Sequence, residues 1–113
     1  GKIKMTNQTR FMYLRDNNNQ PVGCLAVQYD KDSGSTSYQV STLNPHDRFD
    51  RARGRTIAEA RLAKRPKSLT VQAKTLHEVY RAVLENLKAD KEFPLRTVEA
   101  AKAWLNVKLN DKT

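Results

Sequence analysis

The sequence predicts an α+β fold, in which a three-stranded antiparallel meander packs against three helices. Short β-prone segments alternate with turn residues over residues 10–43, and later segments carry the periodicity of amphipathic helices. The length of 113 residues suffices for one domain but not for two. The expected order is β-β-β-α-(β)-α-α over a single domain of residues 1–113, with residues 1–9 flexible.

Three segments in the N-terminal part predict strands because they are rich in β-branched, aromatic and other apolar residues. They are residues 10–16, 22–29 and 36–43. Asn, Asp, Gly and Pro favour tight turns, and such residues separate the strands at residues 17–21 and 30–35. In the third strand Tyr38 and Val40 alternate with polar neighbours, which predicts a sheet with one solvent-facing side.

Phe11 and Tyr13 fall on one face of the first predicted strand, and two interpretations of them stay open. Aromatic side chains on a sheet can stack the bases of single-stranded nucleic acid while nearby arginines hold its backbone. The interpretation we favour is that both rings join Val27 and Val40 on the side of the sheet that packs against the helices. The opposite, polar side is expected to face solvent or a groove, and it carries Cys24, Gln28, Ser37, Gln39 and Ser41.

Asn44 and Pro45 predict the start of the first helix, because Asn is a favourable N-cap and Pro fits the first helical position. The helix is expected to reach Lys64, since Pro66 disfavours helical geometry at the residue before it. Mostly small side chains share one narrow face of the helical wheel, so this face is predicted to lie close on the sheet. They are Phe49, Ala52, Thr56, Ala60 and Ala63.

Two more helices follow. Thr75 and Glu78 match a capping box at the start of the second, and a stripe of apolar residues predicts its buried face. The stripe comprises Leu76, Val79, Tyr80, Val83, Leu84 and Leu87. Pro94 breaks this helix. The last helix is lined by Leu95, Val98, Ala101, Trp104, Leu105 and Leu109. Residues 68–72 predict a short fourth strand or an extended link, and all three helices are expected on one side of the sheet.

The basic charge of the chain is concentrated in one segment. The formal net charge is +9, from 21 Lys and Arg against 12 Asp and Glu. Residues 46–67 hold eight basic and three acidic side chains, or +5, whereas residues 1–45 and 68–113 contribute +2 each. Concentrated charge focuses the electrostatic field within about one Debye length, roughly 8–10 Å, so this segment favours a polyanionic partner.

Arginines dominate the basic segment, and five of them share one arc of the predicted helix: Arg48, Arg51, Arg55, Arg61 and Arg65. Guanidinium groups match phosphate oxygens and guanine edges better than ammonium groups do. Glu59 can pair with Arg55, and Asp47 and Asp50 with Arg51, but these carboxylates are too few to neutralise the arc. We therefore predict a non-enzymatic nucleic-acid-binding protein, with DNA favoured over RNA. The candidate contacts are Arg48, Arg51, Arg53, Arg55, Arg61, Lys64, Arg65 and Lys67.

Other classes of function have less support. Cys24 is the single cysteine, so an internal disulfide and a multi-cysteine metal site are excluded. His46 and His77 are far apart in sequence, and no paired carboxylates, P-loop or Gly-x-Ser-x-Gly element occurs. We predict no catalytic residue, metal or cofactor. No segment suits a membrane span or a signal peptide, which predicts a cytoplasmic protein without membrane contact.

Two alternatives concern the partner. A basic helix can also bind an acidic protein, as an adaptor or an inhibitor would, or simply face solvent. Three amphipathic helices can expose more apolar surface than one short sheet covers, which leaves a homodimer open.

The segment 51–56, Arg-Ala-Arg-Gly-Arg-Thr, resembles the phosphate loop of the N-acetyltransferase superfamily. The pattern of that loop is Arg or Gln, two residues, Gly, one residue, and Gly or Ala, and Thr56 stands at the last position. The resemblance covers roughly residues 11–84 and implies an acyl-coenzyme A-dependent enzyme whose helix N-terminus cradles the pyrophosphate. Such a loop needs the helix to begin near Gly54, whereas Asn44 predicts an earlier start.

Overall fold

The computed structural model describes residues 8–110, with side chains up to residue 107. Four antiparallel strands form one sheet in the order β1-β2-β3-β4. The strands are β1 (Thr9–Arg15), β2 (Pro21–Tyr29), β3 (Ser35–Thr42) and β4 (Lys67–Thr70). The helices are α1 (Arg51–Lys64), α2 (Leu76–Lys88) and α3 (Leu95–Asn110). This is the predicted α+β fold, including the short fourth strand. Of the segment predicted to be flexible, residues 1–7 lie outside the described part and Thr9 already belongs to β1.

The turns of the meander rest on local hydrogen bonds and on two residues with positive φ. Between β1 and β2, the carboxylate of Asp16 accepts from the backbone N–H groups of Asn18 and Gln20, both at 2.9 Å, and Asn19 has a φ of 64°. Asn tolerates this left-handed conformation better than most residues with a Cβ. Gly34 has a φ of 79° between β2 and β3, where a Cβ would lie 2.6 Å from the carbonyl oxygen of Val71.

The helices cover both faces of the sheet, so the prediction that all three lie on one side is wrong. On one face, Leu25, Val27 and Val40 are buried in a core that includes residues of α2 and α3. On the other face, Cys24 and Ala26 are buried against α1. In β2 and β3 the predicted alternation of side chains is correct, but α1 covers the second face, which therefore does not face solvent. The side chains of Cys24 and Ala26 on that face are small, which lets the helix lie close.

The core between the sheet and the α2–α3 pair matches the predicted stripes except at the first residue of each, since Leu76 and Leu95 are exposed. The side chain of Leu109 lies outside the described part. Val79, Val83, Leu84 and Leu87 of α2 are buried, and the Thr75 capping box is present in full. Burial there should supply most of the fold's hydrophobic stabilisation, since each fully buried large aliphatic side chain contributes about 1.5–3 kcal/mol.

Helix α1 begins at Arg51, later than predicted, because Asp50 and not Asn44 caps it. The side chain of Asp50 accepts from the backbone N–H of Arg53 at 3.2 Å. The side chain of Asn44 accepts from the backbone N–H of His46 at 2.9 Å, so it closes a local turn instead. Asn favours both arrangements. Arg48 therefore lies in the loop before α1 rather than on the helix.

The face of α1 that meets the sheet also differs from the prediction. Ala58 and Leu62 are buried, and Gly54 lies beside them, with its carbonyl oxygen accepting from the Ser41 hydroxyl at 2.9 Å. The small side chains predicted to face the sheet are exposed instead: Ala52, Thr56, Ala60 and Ala63. Leu62 is a larger apolar group than any of these four, so burying it favours the observed rotation. Arginines consequently flank the helix–sheet contact.

Candidate nucleic-acid interface

Two arginines of α1 lie over two aromatic rings of β1. The guanidinium carbon of Arg51 is 5.0 Å from the ring centroid of Tyr13, and that of Arg55 is 5.9 Å from the ring centroid of Phe11. Phe49, in the loop before α1, meets Tyr13 edge to face with ring centroids 5.8 Å apart. We call these five residues the arginine–aromatic cluster. Both arginines are exposed and the three rings are half-buried, so the cluster is accessible from solvent.

The fold brings the cluster together through two simple spacings. Phe11 and Tyr13 are two residues apart on β1 and so share one face. Arg51 and Arg55 are four residues apart on α1 and so lie one helical turn apart on the same side. The prediction that both rings share the face of Val27 and Val40 is wrong. Phe11 pairs with Ala26 and therefore lies on the side of α1.

The arginines of the cluster keep their charge free for a partner. The ion pairs found within residues 8–107 involve Lys67, Lys88 and Lys102, and none involves an arginine. The pairs that the sequence suggested for Arg51 and Arg55 are not formed. Asp50 binds the helix backbone instead.

Arg48 and Arg53 extend this positive surface around the start of α1. Both are exposed, and both line a small cleft of about 120 Å³ between the loop and the helix. Asn44, Asp47 and Phe49 also line it. Four of the eight predicted contacts thus gather at the N-terminal end of α1.

The other four predicted contacts gather at the C-terminal end of α1. Arg61, Lys64, Arg65 and Lys67 line a wide groove of about 840 Å³ next to the α2–α3 connection. Arg51 and Arg61 are ten residues apart, which is about 15 Å along a helix. The structure therefore divides the predicted arc into two separate positive regions.

Two residues of this second group, Arg61 and Lys67, already bind other groups of the protein. Nη1 of Arg61 donates to the carbonyl oxygen of Val40 at 3.1 Å. The ammonium group of Lys67 pairs with Asp90 at 3.0 Å and with Glu92, and hydrogen bonds to Glu92 and then Asp90 raise its pKa. The pKa of Asp90 is lowered, first by a hydrogen bond from the backbone N–H of Glu92 and also by Lys67. We therefore place the stronger candidate interface at the N-terminal end of α1.

Cys24 is not placed for nucleophilic chemistry. Its side chain is completely buried between the sheet and α1. Burial raises the pKa of its thiol to about 11, although the positive charge of Arg55 acts in the opposite direction. A thiol with this pKa carries almost no thiolate near neutral pH, and thiolate is the reactive form.

The segment that resembles a phosphate loop has mixed geometry. Helix α1 begins three residues before Gly54, which is closer to the family's arrangement than the sequence predicted. However, Gly54 faces the sheet: a Cβ there would lie 3.5 Å from the Cβ of Cys24. The carboxylate of Asp50 accepts from the first turn of α1, which places a negative charge where the pyrophosphate would bind.

Phe49 contributes to the site, but the sequence did not indicate it as a site residue, because its position on the helical wheel suggested core packing.

Within residues 8–110, no helix is both long and apolar enough to cross a membrane. The described side chains include no group of three His, Cys, Asp or Glu residues that could hold a metal ion. Comparison of the chain with protein-family models, curated proteins and solved structures finds no match.

Proposed function

We propose that the protein binds nucleic acid through the arginine–aromatic cluster together with Arg48 and Arg53, and that it does so without catalysing a reaction. The observation that carries this proposal is the pair Arg51 and Arg55. Both guanidinium groups are exposed, lack a carboxylate partner within the described side chains and lie over aromatic rings.

This arrangement suits phosphate and base recognition for a physical reason. An arginine that lies over a ring loses part of its rotational freedom before any ligand binds, so less entropy is lost on binding. Its N–H groups stay available at the edge of the guanidinium plane, where they can form two parallel hydrogen bonds to a phosphate. The excess of +5 within residues 46–67 adds attraction at longer range.

Fluorescence anisotropy with labelled single-stranded DNA, duplex DNA and RNA tests the proposal. We expect binding that weakens as salt increases. If four phosphates are contacted, log K should fall against log salt with a slope of about −3.6 on duplex or about −2.8 on a single strand. Absence of binding to all three at 50 mM salt, a concentration at which phosphate contacts are strong, would contradict the proposal. Capture of an acidic protein that survives nuclease treatment would favour the adaptor alternative instead.

The acyl-coenzyme A alternative keeps one supporting observation, the start of α1 close to Gly54. A thermal shift assay with coenzyme A decides it. A ligand at a hundredfold excess over its dissociation constant stabilises the folded state by about 2.7 kcal/mol. We expect no shift, because Asp50 occupies the first turn of α1. A clear stabilisation of the folded protein by coenzyme A would favour the acyl-coenzyme A-dependent enzyme over the proposed function.

A further inference from the structure

We infer that the ligand is a single strand of nucleic acid whose bases stack on the solvent-accessible side of the arginine–aromatic cluster, along the edge strand β1. This inference rests on the proposed function and adds the class of nucleic acid to it.

The orientation of α1 argues against a helix that reads duplex DNA. Recognition helices place base-contacting side chains on the exposed ridge that enters the major groove. In α1 the exposed ridge consists mainly of small groups, and the hydroxyl of Thr56 donates to the helix's own backbone at Ala52, 3.0 Å away. Glu59 is also exposed on the helix and would repel phosphates. Arg51 and Arg55 turn sideways, toward the rings of β1.

The edge position of β1 makes the cluster open to a strand of nucleic acid. In the described sheet β1 pairs only with β2, so no further strand covers its outer side. Phe11 and Tyr13 are two residues apart, which is about 6.4–6.8 Å along a strand. An arginine guanidinium group lies over each of these two rings. Two planar guanidinium groups therefore lie next to each other along the edge strand.

Flat cationic surfaces of this kind favour unpaired bases. Bases of single strands stack on aromatic rings and on arginine guanidinium planes, whereas most base faces in a duplex are already covered by their neighbours. Phe49 lies beside Tyr13, and Arg48 directly precedes Phe49 in the same loop, so this surface carries both rings and cations. Rings contact bases and cations contact phosphates, which is the combination that single-strand binding proteins use.

The test compares the double variant Arg51→Lys/Arg55→Lys with the wild type on a single strand and on a duplex of the same sequence. Lysine keeps the charge but removes the flat group. We expect the wild type to bind the single strand at least tenfold more tightly than the duplex. The double variant should lose about tenfold on the single strand while its salt slope stays unchanged. Arg10→Lys is the matched control, since Arg10 is exposed on the same strand but pairs with Val27 and so lies on the face opposite to the cluster, and it should bind as the wild type does.

The variant Phe11→Leu/Tyr13→Leu is a second test, because it removes the rings and leaves the arginines. It should also weaken binding to the single strand, and the lysine variant carries the test if this one does not fold. Equal or tighter binding to duplex, or unchanged single-strand binding by the lysine variant, would overturn the inference and leave the proposed function standing. Absence of binding to any nucleic acid would instead remove the proposed function.

Discussion

Replacement of Arg48, Arg51 and Arg55 by alanine together is expected to flatten the salt slope of nucleic-acid binding by about 2–3. Each phosphate contact contributes about −0.9 to the slope on duplex and about −0.7 on a single strand, so three lost contacts give this change. At about 0.1 M salt the same loss corresponds to a fall in affinity of roughly a hundredfold. Anisotropy titrations at four or more salt concentrations measure both quantities.

A control of equal charge isolates the site from the general field. Replacement of Lys88, Lys91 and Lys102 by alanine also removes three positive charges, but from α2, the following connection and α3. This control should keep most of the affinity. All six side chains are exposed, so both variants should unfold within a few degrees of the wild type, which circular dichroism would show. If the arginine variant keeps the slope of the wild type, the proposed interface is wrong.

Gly23→Ala is expected to destabilise the fold by about 3 kcal/mol, the upper part of the usual range for overpacking. Gly23 is buried in β2, and a Cβ there would lie 2.1 Å from the carbonyl oxygen of Ser41 on β3. The clashing atom belongs to the backbone of a neighbouring strand, so relief requires the β2–β3 pairing to shift. Urea unfolding followed by circular dichroism measures the change in the free energy of unfolding.

Gly54→Ala is the matched control for that substitution. A Cβ at Gly54 would meet Cys24 at 3.5 Å, an ordinary van der Waals distance. Alanine has a helix propensity about 0.8–1 kcal/mol better than glycine, so this variant should be as stable as the wild type or more stable. Equal stability of Gly23→Ala and the wild type would show that the strands do not approach as described.

The elements whose signals are local could be predicted from the sequence. The capping box at Thr75 involves neighbouring residues only, and it is confirmed. The stripe of α2 is long, and it is confirmed from Val79 to Leu87, whereas its first residue, Leu76, is exposed. The strands are confirmed to within about two residues, because alternation and turn residues are local properties as well.

The start and rotation of α1 could not be predicted, because both depend on tertiary contacts. Asn44 and Asp50 are equally good capping residues, and the choice between them depends on where β3 ends and how the helix meets the sheet. Small side chains suit either a close contact or an exposed ridge. The burial of Leu62 against Ala26 and Cys24 decides between these two, and that contact joins distant parts of the chain.

Only part of the candidate site could be predicted, because the rest depends on tertiary contacts. The four arginines at the start of α1 are among the eight contacts predicted from their positions in the sequence, and the structure places them around one end of the helix. Their partners on β1 do not follow, because the face of Phe11 and Tyr13 depends on the register with β2. A shift of one residue in that register would move both rings to the opposite face.

The hydrogen bond from Arg61 to Val40 affects whether an additional strand can pair with the unpaired part of β3. β4 pairs only with residues 35–38 of β3, so the backbone of Val40 lies beyond its end. Its carbonyl oxygen is held by Arg61, and its N–H donates to the side-chain oxygen of Gln39 at 3.1 Å. Unpaired strand edges are where proteins aggregate by adding foreign strands. These two side chains occupy both backbone groups of Val40, so an added strand could pair at this position of β3 only by displacing them, one of them a charged arginine.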